Sequence, residues 1–158
     1  YYRTDTHWRQ ERITDVAERL AQAMGVTLTQ NYEESVLERD FYGVYCGQSA
    51  LPLAPESIHY LINDAIRDCT VYDYQNNRTG TVYAMENPSA QRGRELVLFR
   101  DSFGSSIAPL LLSGYSRITL VDIRYIQPDY LGQFIDFEDC DVLFLYSSLV
   151  LNNSDTLK

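Results

Sequence analysis

The chain has 158 residues, with 13 Lys+Arg against 22 Asp+Glu for a formal net charge of −9 at pH 7, and it carries only two histidines. Its 45% hydrophobic and 22% charged content is that of a folded globular protein, and the length suits one domain with its own core. The charge argues against a nucleic-acid or anionic-membrane partner, because phosphate binding needs a cationic footprint, and no apolar run reaches the ~18 residues of a membrane span.

Ile13, Val16, Ala17, Leu20, Ala21 and Met24 recur at helical spacing while Asp15, Glu18, Arg19 and Gln22 take the other face, so 13–24 reads as an amphipathic helix stopped by Gly25. Phe41-Tyr42-Gly43-Val44-Tyr45 suggests a short strand, and the stretch around Pro52 and Pro55 a loop. Thr70 to Tyr74 and Thr81 to Ala84 alternate β-branched and aromatic residues around a polar turn over 75–80, which predicts a β-hairpin. Glu95 to Phe99 is a short continuous apolar run, as expected of a strand covered on both faces. Ser105 to Leu112 reads as a helix, Ile118 to Asp122 as a second buried strand, Leu131, Phe134 and Ile135 as marking another helix, and Val142 to Tyr146 as a third strand. Strand, helix, strand, helix, strand implies a mainly parallel sheet in a three-layer α/β/α domain, with the hairpin as an insertion. Cys46, Cys69 and Cys140 are widely spaced, without a CxxC pair; they make neither a zinc site nor a dense disulfide framework, and both reduced thiols and one disulfide suit them.

In an open α/β sheet ligands gather at the carboxyl ends of the strands. Ser102 stands there, after the 95–99 strand and ahead of a helix, whose unpaired N–H groups suit a developing oxyanion. Gly104 would let the backbone turn tightly and let substrate approach. The plain alternative is that Ser102 or Asp101 only caps the helix. A nucleophilic serine needs a base held by a third group. Asp5-Thr6-His7 offers both, since residues i and i+2 of an extended segment point to the same side; here the alternative is a solvated or capping His7. His59 has no such acidic neighbour and reads as a surface or structural residue. A metal site on His7, Asp5 and Asp15 lacks a second histidine or cysteine to complete a ligand set.

Together, Tyr2-Arg3-Thr4-Asp5-Thr6-His7-Trp8, Asp40-Phe41-Tyr42-Gly43, Leu98-Phe99-Arg100-Asp101-Ser102-Phe103-Gly104-Ser105-Ser106 and Val121-Asp122-Ile123-Arg124-Tyr125 resemble, in order, the motifs of the DHHW-type family. That family is related to the alginate acetylation proteins AlgX and AlgJ, a circularly permuted branch of the SGNH (GDSL-like) hydrolases, and the resemblance runs from residue 1 to about residue 151. It implies an SGNH-like domain over 1–158, with Ser102 as nucleophile, His7 as general base, Asp5 as the residue orienting it and Trp8 as a structural aromatic. The Ser102 N–H would form part of the oxyanion hole, and Tyr146 and Ser147 occupy the region where that fold presents its other donors. Arg124 either reaches the site or pairs with an aspartate. Two departures stand out: Thr6 replaces the first histidine of Asp-His-His-Trp, and Arg100 replaces the glycine of a Gly-Asp-Ser signature.

The implied function is O-acetyl transfer to, or acetyl-ester hydrolysis of, a cell-envelope polysaccharide through an acetyl-enzyme, with no cofactor. The acyl donor would be delivered by a membrane acyltransferase, and the chain would be part of a longer secreted or membrane-anchored, extracytoplasmic protein. The competing reading is a non-catalytic glycan-binding or scaffolding domain that keeps the fold. A strongly anionic glycan would need a local basic patch around Arg124, and Tyr42, Tyr45, Tyr125 and Tyr130 are candidates for a sugar-stacking surface.

Overall fold

The computed structural model describes residues 1–50, 52–74, 81–90, 93–153, 155 and 157. A 3-10 turn at Gln10–Arg12 leads into helix α1 (Thr14–Ala23). Gly25, at φ +70°, ends it: Gly25 N–H donates to Gln22 O and Val26 N–H to Ala21 O, the paired bonds of a left-handed helix stop. Strands β1 (Glu33–Phe41) and β2 (Glu56–Ile62) form a separate antiparallel ribbon, flanking helix α2 (Val44–Ser49). The strand expected at 41–45 is therefore corrected: β1 ends at Phe41, and after Gly43 the chain turns helical.

Helix α3 (Asp64–Arg67) precedes strands β3 (Thr70–Asp73), β4 (Val82–Glu86) and β5 (Glu95–Arg100). Helix α4 (Ser102–Leu111), strand β6 (Arg117–Val121), a 3-10 run over Pro128–Gln133, strand β7 (Cys140–Leu145) and helix α5 (Ser148–Asn152) complete the chain. Two of the expected helices differ from the sequence expectation. The helix expected from 105 starts at Ser102, because the Asp101 carboxylate accepts the Phe103 N–H at 2.9 Å and caps it there. The segment around Leu131 is a 3-10 run, begun by Pro128, in place of an α-helix.

The main sheet has the order β3-β4-β6-β5-β7. β5 pairs in parallel with β6 and β7, whereas β3–β4 and β4–β6 are antiparallel. The domain is thus a mixed α/β fold, and the mainly parallel sheet is corrected to a half-parallel one. The expected hairpin strands are β3 and β4, but β4 is hydrogen-bonded into the sheet beside β6, so they belong to the sheet and are not an insertion. Their turn, 75–80, lies outside the described residues.

β5 shows why its sequence is continuously apolar. Leu96 and Leu98 join the core beneath α1 and α4, with Ile107, Leu110 and Leu111; Val97 and Phe99 join a second cluster with Leu131 and Ile135 on the opposite face. Alternate side chains of one strand feed two cores. β5 also has β6 on one side and β7 on the other, so its carboxyl end is the point where the chain order reverses, and Ser102 follows it there.

Candidate active site

Ser102 is the first residue of α4, a position whose N–H has no acceptor within the helix. Its Oγ lies 2.8 Å from His7 Nε2. On the other side of the ring, His7 Nδ1 is 2.5 Å from Asp5 Oδ1, which also accepts the His7 backbone N–H at 2.9 Å. The second Asp5 oxygen accepts the Val44 N–H at 2.9 Å. Ser102, His7 and Asp5 are therefore brought into one hydrogen-bonded chain across 95 residues of sequence. Phe103 braces it: the His7 ring lies 5.1 Å from the Phe103 ring and Trp8 packs edge-on at 5.2 Å.

The Asp5 segment is itself anchored. Glu56, at the start of β2, accepts the Arg3 N–H, the Thr4 N–H and the Thr4 hydroxyl at 2.9, 2.8 and 2.6 Å. Thr4 O accepts the Tyr45 N–H at 3.0 Å, and Thr4 Oγ1 the Gly43 N–H at 3.1 Å. Burial works to raise the Asp5 carboxyl, but bonds from the His7 and Val44 N–H groups and the His7 ring outweigh it and hold it below its ordinary value of 3.8. Glu56 is likewise subject to burial, and the Thr4 hydroxyl and the Arg3 and Thr4 amides hold it below 4.5. A carboxylate depressed in the fold contributes stability above its unfolded pKa and loses it as pH falls through the folded one. Melting temperature is thus expected to be insensitive to these two groups from pH 7 to about 5 and to fall below about pH 4, with a shallower acid limb in Glu56→Gln. A circular-dichroism melting series over pH checks this; a Glu56→Gln limb as steep as the parent's would contradict it.

Other expected site residues are placed differently. Gly104 is buried; a Cβ there would meet Arg100 Cβ at 2.4 Å, and its N–H donates to Asp101 O. Its lack of a side chain admits the Arg100 stem, not a substrate. Ser147 donates its N–H to Asp101 Oδ2 at 2.7 Å, and its Oγ accepts the Val150 N–H at 3.4 Å, capping α5. It is committed to the fold and is not a free oxyanion donor. The Tyr146 ring borders the cleft but its hydroxyl is buried; burial first, then the Asp122 and Asp101 carboxylates, push the phenol up to about 12, so it stays neutral. Arg124 forks onto Asp122, Nε to Oδ1 at 2.8 Å and an Nη to Oδ2 at 2.6 Å, which raises its pKa further. Asp122 is buried and also lies 3.7 Å from an Arg100 Nη. Arg124 is thus an ion-pair partner and creates no basic patch. His59 pairs with Glu34 at 2.5 Å on the β1–β2 ribbon. All three cysteines are free.

Asp101 is the helix cap that the sequence offered, whereas Phe103, Gly43, Thr4 and Glu56 gain roles at the site that the sequence did not suggest. Asp101 and Phe103 flank the serine, where a helix cap and a bulky ring are the only signals; Glu56 has none, because its partners are 52 and 53 residues away.

A cleft of about 500 Å³ adjoins the pair, its wall including Thr6, which precedes His7, and Phe103, which follows Ser102. Of the tyrosines considered for stacking, Tyr45 lines it, while Tyr125 lies under the Arg124 guanidinium at 5.3 Å and neither Tyr42 nor Tyr130 is in its wall.

No family model and no curated protein matches this chain. Solved structures do. A DHHW family protein from Eubacterium siraeum superposes with a TM-score of 0.75 at 21% identity, over 95% of this chain and 59% of its own. Bacillus cereus PatB1 gives 0.64 at 15% identity over 100% of this chain and 64% of its own, and PatB1 with a sulfonyl adduct 0.63 at 16% over 100% and 62%. The chain therefore spans about three fifths of the length of these proteins. Its motifs resemble those of the DHHW group, and its backbone has the fold of a DHHW family protein.

Proposed function

We propose that the chain carries a serine-dependent acyl-transfer centre of the permuted SGNH type, with Ser102 as nucleophile, His7 as base and Asp5 as its orienting partner. The carrying observation is the unbroken chain from Ser102 Oγ through both ring nitrogens to a buried, hydrogen-bonded carboxylate. Ser102 Oγ bonds to an ester carbonyl carbon as its proton passes to His7 Nε2. The imidazolium, held by Asp5, returns that proton to the leaving oxygen as the carbon–oxygen bond breaks. A second hydroxyl, from a sugar in transfer or from water in hydrolysis, then gives its proton to His7 Nε2 and bonds to the acyl carbon; the Ser102 Oγ–acyl bond breaks and His7 returns the proton to Ser102 Oγ. The Ser102 N–H, at the positive end of α4, supplies an oxyanion donor.

The substrate class in this reading is a cell-envelope polysaccharide outside the cytoplasm, as the acceptor of an acyl group passed on by a membrane acyltransferase in transfer, or as the O-acetyl ester itself in hydrolysis. With Arg124 paired to Asp122 and the chain at −9, a neutral or basic glycan fits better than an anionic one. Among the described residues, no helix is long and apolar enough to cross a membrane. The sulfonyl adduct of PatB1 supports the reading, because sulfonyl groups attach to nucleophilic side chains. A sulfonyl fluoride is accordingly expected to add one adduct to the parent, mapped to Ser102 by mass spectrometry, and none to Ser102→Ala. Equal labelling of both proteins would sink the proposal.

A further inference from the structure

The cleft beside Ser102 has a chemistry of its own. The apolar part of its wall is Trp8, Tyr45, Phe103, Leu145, Tyr146 and Leu149, with Tyr1 and Tyr2 beside them and hydroxyls from Thr6 and Ser148. Asp5 is the charged residue among the described wall residues, and its carboxylate already accepts three N–H···O or ring contacts from His7 and Val44. Ser147 is turned inward to Asp101 and Val150, and the Tyr146 hydroxyl is buried. Leu149 is 65% exposed and Tyr45 43%, so apolar surface stands uncovered in the cleft that Phe103, the residue after Ser102, also lines. At about 500 Å³ the space is of the size that holds a small organic ligand, and an acetyl group would occupy only a small part of it.

We propose that this cleft is an acyl-binding groove that accepts uncharged aliphatic acyl groups longer than acetyl. The inference rests on the acyl-transfer reading above. The carbonyl carbon is attacked by Ser102 Oγ, and the chain beyond it runs along the Trp8, Tyr45, Phe103 and Leu149 side chains. The bond changes are those already given; the groove adds binding energy from apolar area and no new chemical step.

The test is the rate on 4-nitrophenyl acetate, butyrate and hexanoate for the parent, Ser102→Ala and Leu149→Asp. Full burial of a methylene is worth a factor of about four, so kcat/KM is expected to rise by roughly two- to fourfold per added methylene in this open groove. Leu149→Asp, at an exposed helical position that can take a charge, is expected to lower the hexanoate-to-acetate ratio several-fold. Acetate as the best parent substrate, with Ser102→Ala inactive, overturns the groove and leaves the acyl-transfer reading standing. A parental chain-length preference that Leu149→Asp leaves untouched also overturns it, because the chain then lies elsewhere. Ser102→Ala as active as the parent on all three esters removes both.

Discussion

Ser102→Ala is expected to lower kcat/KM for a chromogenic acetyl ester by at least about 10³-fold, the scale on which members of a nucleophile–base–acid unit act. The methyl group leaves the fold unchanged: Ser102 is the first helical residue, its hydroxyl bonds outward to His7, and the helix cap belongs to Asp101. Melting temperature should therefore stay near the parent's, which separates lost chemistry from lost structure. His7→Ala should cost as much, and the double variant little more than either alone, because the two side chains make one proton-transfer unit. Asp5→Asn should also cost activity, because the amide offers His7 the wrong partner for its Nδ1 proton. Independent, multiplying losses from Ser102→Ala and His7→Ala would contradict the assignment. So would an unchanged rate in either.

Gly43→Ala is expected to damage both fold and site, although Gly43 touches no substrate. Its φ is −70°, so backbone freedom is not the reason for glycine here. The reason is space: a Cβ would stand 2.1 Å from Thr4 O, 2.3 Å from Thr4 C and 2.6 Å from Asp5 Cβ. Two of those three atoms are backbone, pinned by the Tyr45 N–H and by the Glu56 anchor, and cannot swing aside. The 3–5 segment must then move from α2, breaking the Val44 N–H to Asp5 bond and shifting Asp5 under His7. Overpacking of this kind typically costs about 1–3 kcal/mol. For a domain of this size that lowers the melting temperature by roughly 2–12 °C. A displacement of about 1 Å in a positioned catalytic group costs about 10²-fold in rate. Gly47→Ala is the control: it lies in the same helix with nothing within 4 Å of its Cβ, and should be neutral or slightly stabilising. Matching melting temperatures and rates in both variants would show that the Gly43 contact positions nothing.

Ser102 and Gly43 owe their roles to different features of the chain. Ser102, His7 and Asp5 could be nominated from the sequence because each carries its chemistry in a local pattern: a serine at a strand-to-helix turn and an Asp-x-His tripeptide. The strands of the core were legible for a similar reason. β5 and β6 read as short apolar runs because both their faces are buried, and α1 as an amphipathic helix because one face is. The 41–45 segment misled because Tyr42, Val44 and Tyr45 have strand-like side chains. Its helix is held instead by contacts to residues 4 and 5, nearly forty positions away.

The same distinction explains the residues that changed role. Gly104, Arg124, Tyr146 and Ser147 all sit at carboxyl ends of strands, where a ligand is expected. Their partners decided otherwise: Arg100 fills the space at Gly104, Asp122 takes Arg124, Asp101 takes the Ser147 N–H, and burial encloses the Tyr146 hydroxyl. Sheet direction was decided in the same way. β4 is antiparallel to β6 through a register that no local pattern encodes. What this sequence determined by itself was the class of fold, the main buried elements and the three residues offered for chemistry, since those follow from periodicity and residue type. Tertiary structure alone decided their mutual distances, the Thr4–Glu56–Gly43 frame and the apolar wall beside Ser102. Hydrogen-bond partners and packing space are set by which distant segments meet, and that is a property of the folded chain.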